Sequence, residues 1–182
     1  GKPYNDVFLM LFPVQYDKDI DQFIGQDFQY VLWEELPQFA SPRPYLNMFS
    51  SMRSGKPGVP IRVRATGNPG GAGIGWIKQR FNIPDGDKEQ AKLASCKPII
   101  WTDPRSKKQL VRMFLLSLRE ENLTLAKNDP LYEARLAASV EGDPQREKAW
   151  LDADFSGLFG KYFSVFNPEI HRIDDAYSIF PG

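Results

Sequence analysis

The chain has 182 residues, 42% hydrophobic and 13% aromatic, which suits one domain with a sizeable core, or most of one plus part of another, and excludes wholesale disorder. Its 23 basic and 23 acidic residues cancel, so any contact with nucleic acid must be local rather than a bulk electrostatic effect. A single cysteine, Cys96, excludes an internal disulfide and a cysteine-rich zinc site, and a single histidine, His171, argues against a histidine metal site or a Ser-His-Asp triad.

Val7 to Val14 is apolar and rich in strand formers, but it is short and broken by Pro13. No run approaches the length that spans a bilayer, and no signal peptide is visible. After a polar connector, Phe28 to Trp33 (Phe-Gln-Tyr-Val-Leu-Trp) reads as a strand buried on both faces. Glu34-Glu35 closes it, and Leu36-Pro37 forces the chain out of the strand. Ser41-Pro42 reads as a helix start, with the helix running to about Arg53. Ser54 to Pro60 is a Gly/Pro loop. Ile61 to Thr66 alternates as a strand, with Arg62 and Arg64 on the polar side. Gly67 to Gly75 is a glycine-rich turn, and Trp76 to Phe81 a short helix.

Asp85 to Lys97 is polar and reads as a loop, and Leu110 to Leu118 is strand-like. Asn128-Asp129-Pro130 and Gly142-Asp143-Pro144 each combine a cap with proline, which predicts helices over 130–141 and 144–151. Gly157 to Phe166 reads as the opening strand of something new. Gly1 is not Met, and Ile179-Phe180-Pro181-Gly182 reads like interior sequence, so both ends are expected to be cut. Alternating strands and helices predict an α/β sheet.

Several residues carry possible chemistry. A short apolar strand ending in two acids suits phosphoryl transfer, one carboxylate holding Mg²⁺ through water and the next polarising the attacking water. A solvated sheet edge has the same look. Thr66-Gly67-Asn68-Pro69-Gly70-Gly71-Ala72-Gly73 leaves the next strand at its carboxyl end, where ligands of parallel sheets sit, and it also reads as a plain turn. No Gx4GK[ST] phosphate loop is present; Ser54-Gly55-Lys56-Pro57 lacks the following Ser/Thr, and Pro57 lacks an N–H. Lys78 with Arg80, and Lys107 with Lys108 and Arg112, are groups that can meet DNA phosphates or simply face water. Arg53 can reach a neighbouring subunit's nucleotide or end its own helix. Trp76, Trp101 and Trp150 read as core, Cys96 as an ordinary thiol, and Asp174-Asp175 as a solvated pair.

The order of these blocks resembles the large subunit of tailed-phage terminases. Gly25 to Phe39 is similar to that family's strand-plus-acids segment. Ser51-Met52-Arg53-Ser54, Arg64 to Gly71 and Gly75 to Phe81 are similar to its "SRxR … tGNPGG.G..W.K..F" block. Asn128 to Tyr132, Ala149 to Phe155 and Gly160 to Phe163 are similar to its "Y…L…WL.GDW…G..F" passage. The family usually has Asp where this chain has Glu34.

The resemblance implies the C-terminal half of a P-loop-type (ASCE) ATPase sheet over 1–125, a helical linker over 126–153, and the start of an RNase H-like nuclease domain over 154–182. It implies a motor that hydrolyses ATP with Mg²⁺ to drive double-stranded DNA into a procapsid, with nuclease cleavage of the concatemer. Glu35 matches the catalytic glutamate, Glu34 the Mg²⁺-associated acid, and Thr66, Gly67 and Asn68 the coupling motif. Implied partners are DNA, the portal protein and the small terminase subunit, in a homo-oligomeric ring in the host cytoplasm and transiently at the portal, with no membrane. The rival expectations are another P-loop motor such as a helicase, and a non-catalytic α/β binding or assembly module.

Overall fold

The computed structural model describes residues 8–157. These form a mixed α/β structure with two small sheets and several short helices. Strand β1 (Tyr30–Trp33) pairs in parallel with β2 (Arg62–Ala65), Tyr30 opposite Arg62 and Trp33 opposite Ala65. Between them run a 3-10 turn (Leu36–Gln38), helix α1 (Arg43–Asn47) and a second 3-10 turn (Met48–Ser51). Helix α2 (Ile74–Phe81) follows the glycine block, and α3 (Lys88–Ala94) follows it in turn. Strands β3 (Ile99–Thr102) and β4 (Gln109–Arg112) make an antiparallel hairpin. Helices α4 (Leu123–Asn128), α5 (Tyr132–Ser139) and α6 (Pro144–Asp152) complete the described chain.

The core lies on one face of the parallel pair. Trp33, Leu36, Tyr45, Met48, Ile74 and Ile77 are buried there, with Ile20 and Phe23 from the 3-10 segment Asp17–Phe23. Aromatic edges carry much of the packing: Trp33 meets Phe39 at 5.3 Å, and Tyr45 meets Phe49 at 5.2 Å, both edge-to-face. Phe155, beyond α6, joins the same core, with its N–H bonded to Gly86 O at 2.7 Å and its ring edge-on to Phe114.

Strand β1 is not buried on both faces as its apolar run suggests. Its residues alternate: Val31 and Trp33 turn inward, while Tyr30 and Leu32 are 56% and 54% exposed. Residues 8–14 form no strand; with the outer edge of β1 they border an open apolar groove of about 790 Å³. The helix expected from Pro42 to Arg53 stops early, because the backbone of Ser51 to Arg53 is drawn to Phe28. Phe28 N–H bonds Ser51 O at 2.9 Å, Arg53 N–H bonds Phe28 O at 3.1 Å, and Ser51 Oγ donates to Phe23 O at 2.7 Å. A continuing helix would keep those groups for itself.

The expected loop at 85–97 contains α3. Asp87 caps it, accepting from the N–H groups of Glu89 and Gln90 at 2.9 and 3.2 Å, and Gln90 Oε1 accepts from Asp87 N–H in return. The strand expected over 110–118 is confined to Gln109–Arg112, and Trp101, expected in the core, is 46% exposed. The helices expected over 130–141 and 144–151 are present as α5 and α6, the second capped by Asp143 Oδ1 accepting from Arg146 N–H at 3.0 Å. The strand expected from Gly157 to Phe166 falls, from residue 158 on, outside the described residues, as do His171, Asp174, Asp175 and almost all of 154–182.

Candidate nucleotide half-site

The acid pair stands where β1 ends. Glu35 takes a left-handed backbone, φ 48° and ψ 47°, and Pro37 then sets the 3-10 turn. That conformation costs an L-residue about 1–2 kcal/mol. Its effect is to bend the chain so that Leu36, not Glu35, completes the hydrogen bonding to β2. Thr66 N–H donates to Trp33 O at 2.9 Å, and Leu36 N–H donates to Thr66 O at 2.9 Å. Thr66 is therefore clasped by the two residues that flank Glu34-Glu35.

The acids and the Thr66-Gly67-Asn68 segment, 31 positions apart in sequence between Glu35 and Thr66, meet at the carboxyl ends of two parallel strands. Both carboxylates and the Thr66-Gly67-Asn68 segment are exposed, and no cation of the described residues pairs with either acid.

The glycine block is a packing device. Gly73 N–H donates to Pro37 O at 2.8 Å, and Trp76 Nε1 donates to Phe39 O at 2.8 Å. A Cβ on Gly67 would lie 2.2 Å from Pro37 Cδ, one on Gly71 2.5 Å from Pro37 O, and one on Gly73 2.0 Å from Phe39 O. Only glycine lets the loop lie this close to the turn that carries Glu35, and Gly71 also needs its φ of +82°. The turn and α2 are thus held together as one unit with little slack between them.

The remaining sequence candidates lie elsewhere. Arg53 sits at the amino end of β1, paired with Asp27 and donating Nη2 to Gly25 O at 3.2 Å. Six extended residues, Phe28 to Trp33, separate that end from Glu34, roughly 20 Å, so Arg53 belongs to the opposite end of β1 from the acids of its own chain. Lys78 pairs with Asp85 and donates to Phe155 O at 2.8 Å. Burial pushes its pKa down, while the charge of Asp154 opposes that shift. Arg80 lays its guanidinium over the rings of Tyr45 and Phe49, at 5.0 and 5.6 Å. Both cations of this pair are engaged inside the chain.

Two features had no signal in the sequence. The indole N–H of Trp33 is buried without a partner among the described residues and borders the groove beside β1. The left-handed Glu35 is the other, since Glu-Glu-Leu-Pro predicts a strand break but not which residue absorbs the turn.

A divalent ion and a nucleotide fit this donor set in one respect. Mg²⁺ is commonly held by one or two carboxylates, water and substrate phosphates, and Glu34 and Glu35 are two solvent-facing carboxylates at a strand end. No group of three or more metal-ligating side chains occurs among the described residues. No helix among them is long and apolar enough to cross a membrane. No family model, curated protein or solved structure matches the chain.

Proposed function

We propose that this chain is part of a viral DNA-packaging motor, in which ATP hydrolysis drives double-stranded DNA into a procapsid and a nuclease domain cuts the concatemer. The observation that carries the reading is the parallel register that sets Glu34-Glu35 against Thr66-Gly67-Asn68 at one end of the sheet. In this reading the chain contributes the C-terminal half of a P-loop-type ATPase sheet, and the phosphate loop and its lysine come from polypeptide outside these 182 residues. The motor works as a homo-oligomeric ring in the bacterial host's cytoplasm, at the portal of the procapsid, with the small terminase subunit.

The open state of the sheet supports the reading. Parallel sheets occur almost only with both faces covered, yet Tyr30, Leu32, Arg62 and Arg64 share an exposed face. Along β1 the hydrogen bonds to β2 are made by Gln29, Val31 and Trp33, so the backbone groups of Tyr30, Leu32 and Glu34 point to the opposite edge, which past the single Phe28–Met52 bridge is unpaired among the described residues. A further strand and further cover satisfy both.

When bound, ATP would supply the phosphoryl group and Mg²⁺ would neutralise its charge. Glu34 would be the carboxylate that holds the Mg²⁺. Glu35 accepts a hydrogen bond from the attacking water and orients it. Thr66 and Asn68 sense the bound nucleotide, and a movement of the Glu35 turn reaches α2 through the Pro37–Gly73 and Phe39–Trp76 bonds.

The chain by itself should not turn over ATP, since its sequence has no Gx4GK[ST] loop to grip the β- and γ-phosphates. A phosphate-release assay on the purified 182-residue chain should give background only. Turnover that disappears on Glu35→Gln would contradict a half-site and mean that the chain holds a complete one.

A further inference from the structure

The β3–β4 hairpin carries charge that the acid-pair site does not use. Residues 97–112 hold Lys97, Arg105, Lys107, Lys108 and Arg112 against the single acid Asp103, a net of +4 on a chain whose total is zero. None of those five cations forms an ion pair with a described residue, whereas seven ion pairs occupy cations elsewhere in the described chain.

The hairpin turn is built so that its acid is satisfied internally. Asp103 accepts from the N–H groups of Arg105 and Ser106 at 3.2 and 2.9 Å, and the Ser106 hydroxyl and those N–H groups hold its pKa below the ordinary aspartate value. Asp103 O also accepts from Lys107 N–H at 2.9 Å, and Asp103 N–H donates to Lys108 O at 2.8 Å. With the carboxylate tied to the turn, Arg105, Lys107 and Lys108 stand exposed at the tip.

The base of the arm is cationic too. Arg112 Nε donates to the backbone oxygen of Arg80 at 2.7 Å. Burial and the neighbouring Arg80 charge both lower the Arg112 pKa. Arg80 is backed by Tyr45 and Phe49, and its Nε has no partner among the described residues. Cations thus stand at both ends of β4, Arg112 at its root and Arg105, Lys107 and Lys108 at the tip, with Gln109, Leu110 and Val111 between them. Cross-strand pairs Ile100–Val111 and Trp101–Leu110 stiffen the arm between them.

We propose that the β3–β4 hairpin is an arm that grips the phosphate backbone of double-stranded DNA, with Arg105, Lys107 and Lys108 at its tip and Arg112 at its root. The hairpin's unpaired charge sets the class of ligand as a polyanion, and the choice of duplex DNA rests on the packaging reading above. Binding of this kind releases counterions and carries no sequence preference.

The test is fluorescence anisotropy of the full chain with a labelled duplex of mixed sequence, titrated at several NaCl concentrations. It compares wild type with the triple variant Arg105→Gln, Lys107→Gln, Lys108→Gln, whose substitutions lie on an exposed turn. The variant should bind at least about tenfold more weakly at moderate salt. Its slope of log affinity against log salt should be shallower by about one for each phosphate no longer neutralised, so about three in all.

Equal affinity and slope overturn the proposal and leave the arm's apolar pairs to dock a protein. No measurable binding by wild type overturns it as well. Binding needs no hydrolysis, so weaker binding by the triple variant upholds the arm even where ATP turnover fails to depend on Glu35. Equal binding by both proteins removes the arm and leaves the acid-pair site untouched.

Discussion

Glu35 combines an exposed side chain with a backbone that glycine would adopt more readily, φ 48° and ψ 47°. Strain of that size persists where surrounding bonds over-determine it, and here the Leu36–Thr66 and Gln38–Glu35 hydrogen bonds do so. Replacing Glu35 with glycine removes about 1–2 kcal/mol of left-handed strain and adds unfolded-state entropy worth roughly half as much. Glu35→Gly should therefore match or exceed wild-type stability, by up to about 1 kcal/mol. Glu35→Gln should stay within about 0.5 kcal/mol, as an exposed substitution with no ion pair to lose among the described residues. Urea denaturation monitored by tryptophan fluorescence checks both. A clear loss in Glu35→Gln would give the carboxylate a structural partner and weaken its assignment to chemistry.

At the scale of elements, the glycine block separates close packing from turn chemistry. Gly73 and Gly75 are two residues apart, yet a Cβ on Gly73 meets Phe39 O at 2.0 Å, and one on Gly75 meets nothing within 4 Å. Gly73→Ala should cost about 2 kcal/mol or more, because the nearest atom is backbone that cannot swing away. Gly75→Ala, inside α2, should be neutral or stabilise by up to about 1 kcal/mol. Equal losses would mean that the loop does not lie against the turn as described.

Much of this element map was legible. Strand β1 with its terminal acids, β2, the glycine block and α2 lie close to where the residue pattern puts them, and α5 and α6 follow from their Asp and Pro signals. What was hidden depends on partners distant in sequence. Phe28 draws Ser51 to Arg53 out of a helix, and nothing local reveals it. Helix α3 was hidden by a different cause: Lys-Glu-Gln-Ala-Lys-Leu-Ala has good helix formers but little apolar periodicity, and only the Asp87–Gln90 capping box marks it. At the site, the pairing of Glu34-Glu35 with Thr66 was an expectation of adjacency that the register supplies, whereas the intramolecular engagement of Lys78 and Arg80 depended on Asp85, Phe155, Tyr45 and Phe49 meeting them in three dimensions.

At the scale of the whole described molecule, chemistry and mechanics share a short path. The acid turn bonds to the glycine loop, the loop opens α2, and α2 reaches Phe155 beyond the last helix through Lys78. In the proposed motor, a nucleotide-dependent shift at Glu35 would have a continuous chain of these contacts to the segment after α6. Within the described residues the parallel pair stands open with an exposed face, which the proposed half-sheet would need further strands and cover to complete. The central claim is that Glu35 orients the water that attacks ATP once a phosphate loop is in place. Its most direct test is steady-state ATP turnover by the full-length gene product, wild type against Glu35→Gln, with nucleotide binding measured in parallel. Turnover should fall by at least about 10²-fold while Mg²⁺–ATP binding is retained; a Glu35→Gln protein that hydrolyses ATP at the wild-type rate would contradict the claim.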